Sequence, residues 1–224
     1  MAQRLIVEGN DGIFLATLCQ KKGMKPPKGY SNPQKFRDEF IKNAGGVNKI
    51  KLALEEELNS PNVTRIGVVV DSNSLGPLTR FNTLIDIIKE TLQVKVPEGK
   101  KELTVNGFTH SFDFPNQSLV IGIWVMPDNI NEGYLEHFIG ELTPSANQVF
   151  LFARKTVQEF KQEPFCELSP FKVKKAEVHT YLALQKTPGL PFGTALRAGY
   201  FDENAPLAKN FKEWFQSTFE LEGG

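Results

Sequence analysis

The sequence predicts an α/β fold with a mostly parallel sheet flanked by helices, and three observations carry that prediction. Short β-branched runs alternate with longer segments of helical period, the order expected of βαβ units. The runs 5–8, 64–71 and 119–126 are apolar on both faces, as strands covered by helices on both sides are. Each of them ends at an acidic or turn-forming residue.

Taken in order, Leu5-Ile6-Val7-Glu8 reads as the first strand and residues 14–21 as a helix with apolar residues three and four apart. Residues 23–29, rich in glycine and proline, break the chain before a second helix over 47–58. The strand 64–71 follows, then a helix over 78–92. Residues 103–114, centred on Asn106-Gly107, alternate loosely and predict a β-hairpin with a type I′ turn at the sheet edge. The strand 119–126 closes the sheet. After Pro127 the character becomes helical, over 132–142, 146–161, 173–185 and 205–219, with Pro188-Gly189-Leu190-Pro191 separating the last pair. No repeat, low-complexity tract or linker interrupts the chain, so residues 1–224 read as a single domain, 1–130 forming the sheet core and 131–224 a helical C-terminal part.

Composition narrows the function classes. The 26 basic and 26 acidic side chains cancel, so no global positive field draws the chain to a polyanion, and any contact with nucleic acid is local or metal-mediated. Two cysteines, Cys19 and Cys166, make neither a disulfide framework nor a metal-ligand spacing and read as free thiols. No signal-type apolar segment follows Met1, and the longest apolar run, 119–126, is far too short to cross a bilayer. A cytoplasmic protein without a membrane partner is expected.

The residues that could carry chemistry sit at strand ends. Ile6-Val7-Glu8-Gly9 places a carboxylate at the end of a buried strand, before a glycine that lets the chain turn. Val68-Val69-Val70-Asp71 repeats the arrangement, and Val125-Met126-Pro127-Asp128 repeats it again. In open α/β sheets the carboxyl ends of parallel strands share one edge, where ligands bind, so Glu8, Asp71 and Asp128 are expected to converge there. Carboxylates held together repel, and a proton, a basic partner or a hard divalent cation relieves the repulsion; Mg²⁺ or Mn²⁺ with waters and a phosphate suits such a site. Acids in these positions also cap helices or accept backbone N–H bonds, but capping prefers Ser, Thr, Asp and Asn and does not account for Glu8.

A strand-end Glu-Gly followed by an Asp at a later strand end resembles the Toprim domain, a Rossmann-like fold. Gly122-Ile123-Trp124-Val125-Met126-Pro127-Asp128-Asn129, Gly133-Tyr134-Leu135-Glu136, Lys174-Lys175-Ala176-Glu177-Val178-His179 and Pro188-Gly189 resemble a small stand-alone Toprim-like family of uncharacterised prokaryotic proteins, related to the overcoming-lysogenisation-defect nucleases. The wider group acts on phosphodiesters with divalent metals. The resemblance implies a Mg²⁺- or Mn²⁺-dependent, nuclease-like site with Glu8 as metal ligand or general acid/base, Asp71 as metal ligand, and Asp128 and Glu136 as further acids. It also implies DNA or RNA as substrate and, by family analogy, a separately encoded ATPase as partner.

Two departures from the family pattern bear on catalysis. The expected Asp-any-Asp pair reads Asp71-Ser72-Asn73, so Asn73 offers a neutral oxygen to a metal instead of a charged one, and the acid expected four residues after Glu8 is Gly12, with Asp11 one residue early. These losses predict one ordered divalent cation at most without substrate. Lys172, Lys174 and Lys175 form a basic cluster before a helix; a solvated face is the ordinary reading, and Lys175 before Ala176 resembles a family lysine that steadies a phosphate. His110, His137 and His179 are too scattered for a metal triad, and the segment 45–49 lacks P-loop spacing. Phe201, Phe211, Trp214, Phe215 and Phe219 predict a final helix docked on the sheet in preference to a base-stacking platform. Two functions stand side by side: a metal-dependent nuclease, and a catalytically degenerate Toprim domain that binds nucleic acid or protein.

Overall fold

The computed structural model describes residues 1–9, 12–20, 25–96 and 102–222. Asp11 and the start of the 23–29 break lie outside the described residues. Five strands form one sheet in the order β2-β1-β3-β5-β4: β1 (Ala2–Val7), β2 (Ile41–Asn43), β3 (Val63–Asp71), β4 (Phe108–Phe114) and β5 (Gln117–Met126). The first four in spatial order run parallel, and only the edge strand β4 is antiparallel to its neighbour.

Alternation along the strands divides the core in two. Leu5, Val7, Val69, Trp124 and Met126 face a layer that contains α1 (Gly12–Gln20), while Ile6, Ile66, Val68, Val70, Ile121, Ile123 and Val125 face the opposite one. That second face is covered by α3 (Ile50–Leu58) and α4 (Pro77–Leu92), reached after the short α2 (Pro33–Lys35) and its π-helical continuation Phe36–Phe40. The remaining helices are α5 (Leu135–Glu141), α6 (Gln148–Phe160), α7 (Val173–Ala183), α8 (Phe192–Arg197) and α9 (Pro206–Thr218), all of which contribute to the α1 side.

The final helix docks as its aromatic stripe predicts. Phe211, Trp214, Phe215 and Phe219 are buried against the sheet, each worth about 1.5–3 kcal/mol of transfer free energy. Gly67 and Gly122 are paired across β3 and β5 and leave the groove that this end of the chain fills. A Cβ at Gly67 would meet the Phe219 ring at 2.5 Å, and one at Gly122 would run into Thr218.

Several elements differ from the sequence reading, among them α2 and its π-helical continuation, which it did not predict. The hairpin is real but its turn is Pro115-Asn116 between β4 and β5, not Asn106-Gly107. The earlier turn is a local bridge of Thr104 with Gly107 that leads into β4, and Phe108–Phe114 pairs along its whole length with β5. The short strand β2 and the helix α8 carry too few residues for a periodic signal, since a period needs about 11 residues to be read.

Candidate functional site

The order of the strands fixes where a site can form. The chain leaves β1 through α1 toward β2, and leaves β3 through α4, on the opposite face, toward β5. The connections therefore part between β1 and β3, and the crevice at the carboxyl ends of these two strands is the topological switch point. Glu8 follows the last residue of β1 and Asp71 is the last residue of β3. The two are brought together there: the Glu8 carboxylate Oε2 accepts the Asp71 backbone N–H at 3.2 Å, and both residues are half-buried.

Asp128 is held otherwise. Its Oδ1 accepts the N–H groups of Ile130 at 3.0 Å and Asn131 at 2.8 Å, and its Oδ2 accepts the Asn131 side-chain amide at 2.6 Å. It closes its own loop in the manner of turn-forming aspartates. The buried Ser72 anchors the same loop to the end of β3, its hydroxyl accepting the Gly133 N–H at 2.7 Å and lying 3.1 Å from the Gly133 carbonyl. Asn73, in the left-handed conformation at φ 50°, donates its N–H to the Gly133 carbonyl at 2.9 Å, a backbone role that suits asparagine.

Glu136, at the start of α5, is 6 % exposed and is paired with Lys175 on α7, whose Nζ lies 2.7 Å from its Oε1. His179 Nε2 approaches the same oxygen to 3.5 Å. Burial pushes the Glu136 carboxyl up, but the bonds from His179 and Lys175 outweigh it and hold the group below the usual carboxylate range. Tyr134, two residues before Glu136, donates its hydroxyl to the Phe171 carbonyl at 2.6 Å. Burial and then the charges of Glu136 and Asp71 push that hydroxyl up to about 12, so it stays protonated. The bonds of Ser72 and Asn73 to Gly133 tie the end of β3 to the segment that leads into Glu136, which sets Asp71 and Glu136 on the same edge of the molecule.

The acids thus form two centres, Glu8 with Asp71 and Glu136 with Lys175 and His179. Among the described residues no three His, Cys, Asp or Glu side chains form a group able to hold a metal ion. Glu8 and Asp71 are of the donor type from which a hard cation draws one or two carboxylates beside water and phosphate, as Mg²⁺ does. They do not supply ligands for two ions. Gly12 has a steric reason for its identity, since a Cβ there would run into Ile41 of β2, leaving no room for the acid expected at this position.

The lysine cluster disperses. Lys174 pairs at 3.3 Å with the buried Glu177, and Lys175 with Glu136. The sequence reading set His179 aside with the other scattered histidines, although it stands four residues after Lys175 and so shares its helix face, a spacing that could have found it. Arg197 of α8, which joins the same neighbourhood, had no such signal. His110 and His137 pack on aromatic rings, against Phe112 at 4.7 Å and Tyr134 at 4.4 Å. Both cysteines are free, and no helix among the described residues is long and apolar enough to cross a membrane.

Compared with known families, residues 2–220 match a family described as "Protein of unknown function (DUF3226)". Comparison with curated proteins and with solved structures finds no match.

Proposed function

The chain belongs to this family of unknown function, and from that premise we propose that it performs metal-dependent, nuclease-like phosphodiester chemistry at the Glu8–Asp71 pair. The observation that carries the reading is the junction of a glutamate and an aspartate from adjacent parallel strands at the switch point, where the Glu8 carboxylate reaches the Asp71 N–H. Glu8 and Asp71 would hold one Mg²⁺ or Mn²⁺. Such a cation, when bound, polarises a phosphoryl oxygen and acidifies a bound water. Glu8, half-buried just past the end of β1, can also take or give a proton at its carboxylate. Lys175 stands ready to steady a phosphate through the donors that its bond to Glu136 leaves over, since an ammonium has three. DNA or RNA is the substrate class of this reading, and a separately encoded ATPase is its partner by resemblance alone.

A second reading, a catalytically degenerate domain that binds nucleic acid or protein, is favoured by particular observations. Asp128 spends both oxygens on its own loop, Glu136 is neutralised by Lys175, and position 12 has no room for an acid. The two readings part in a cleavage assay. The full chain is incubated with Mg²⁺ or Mn²⁺ and single- and double-stranded DNA and RNA, beside Glu8→Gln and a chelated control. Metal-dependent cleavage that falls at least a hundredfold in Glu8→Gln is expected, in line with the loss of a general acid/base. Binding without cleavage by either protein selects the degenerate domain.

A further inference from the structure

Beside the start of α1 lies a recess of about 710 Å³ that Glu8 and Asp71 do not line. Phe14, Leu182, Leu190 and Phe192 give it apolar walls, and Lys175, His179 and Arg197 converge on it. Glu136 is the one acid of its lining among the described residues, and it is already paired at 2.7 Å with Lys175. Arg197 is different: its guanidinium meets only hydroxyls, Thr17 Oγ1 at 3.3 Å and Thr194 Oγ1 at 3.5 Å, with no carboxylate paired to it among the described residues. Among the described residues the recess therefore carries surplus positive charge beside apolar walls.

We propose that this recess binds a small organic anion with an aromatic body, its carboxylate or phosphate held by Arg197 and Lys175 and its ring laid on Phe192. The volume lies within the roughly 300–1,000 Å³ typical of small-ligand sites, which combine apolar walls with a few convergent polar groups. A guanidinium presents paired donors matched to the oxygens of either anion, and the two threonine hydroxyls hold it in place. Phe192 lines the recess and is only half-buried, which leaves ring surface on which a second ring can pack. The inference shares Lys175 with the phosphodiester reading but does not rest on it, because Arg197 carries the anion contact and neither Glu8 nor Asp71 takes part.

The test is a titration of the isotope-labelled full chain followed by NMR, with EDTA present so that no metal-dependent reaction intervenes. Adenosine 5′-monophosphate and 2-naphthoate are the anionic probes; adenosine, 2-naphthol and inorganic phosphate each lack the charge or the ring. At least one anionic probe is expected to shift the Gly193 and Thr194 amides, and whichever binds tells phosphate from carboxylate. Its neutral counterpart and the Arg197→Gln variant are expected to bind about tenfold more weakly, the worth of one charge-assisted hydrogen bond. Equal binding of the neutral counterpart, undiminished binding by a folded Arg197→Gln, shifts confined to the Glu8–Asp71 crevice, or no shift with either anion would each overturn the proposal. Should Arg197→Gln fail to fold, the comparison of charged and neutral probes on the wild-type chain decides alone.

Discussion

Glu136 is a carboxylate taken out of water and kept ionised by a lysine and a histidine one turn apart on α7. Its folded-state pKa is depressed, so the stability it contributes is present above the unfolded-state value and is lost as pH falls through the folded one. Acid titration of thermal stability is thus expected to decline below the ordinary glutamate range, and Glu136→Gln is expected to flatten that decline; an unchanged profile would count against the pairing. Replacing Lys175 by methionine leaves the buried carboxylate to His179 and is expected to cost about 1 kcal/mol, at the low end because the ammonium is half exposed. At this scale the sequence spoke unevenly. The strand-end placement of Glu8 and Asp71 was legible because a strand end is a local feature. The pairing of Glu136 with Lys175 joins α5 to α7, and no spacing within either segment encodes it.

Among the elements, the end of β3 and the loop after β5 act as one unit. Ser72 is wholly buried and its hydroxyl serves both the N–H and the carbonyl of Gly133, while Asp128 and Asn129 brace the loop from within. Ser72→Ala leaves the Gly133 N–H without this acceptor and is expected to cost about 1–3 kcal/mol, read as a lower denaturation midpoint at unchanged slope. No loss would show that water replaces the hydroxyl. The helices of clear period were legible to within a few residues, as α4 and α6 illustrate, because their apolar stripes span several turns. The hairpin turn was misplaced because Asn106-Gly107 has the chemistry of a hairpin turn, yet the long run Phe108–Phe114 can pair with β5 only through Pro115-Asn116.

At the scale of the molecule, both core clusters share one sheet, with α9 locked onto one face by the paired glycines of β3 and β5. Phe211→Ala is therefore expected to cost about 3–5 kcal/mol and to lower the stability of both faces together in one transition; two separated transitions would contradict this. The α/β class was legible because strands covered on both faces read as continuous apolar runs, and the switch point follows from the strand order, which a sequence does not print. The central claim is that this crevice holds one divalent cation between Glu8 and Asp71. The direct measurement is a Mn²⁺ titration of the full chain, with free Mn²⁺ followed by electron paramagnetic resonance, beside Glu8→Gln and Asp71→Asn. One site in the wild-type chain, weakened at least tenfold in each variant, is the predicted result. Two tight sites, a site that survives both substitutions, or no binding at all would contradict it.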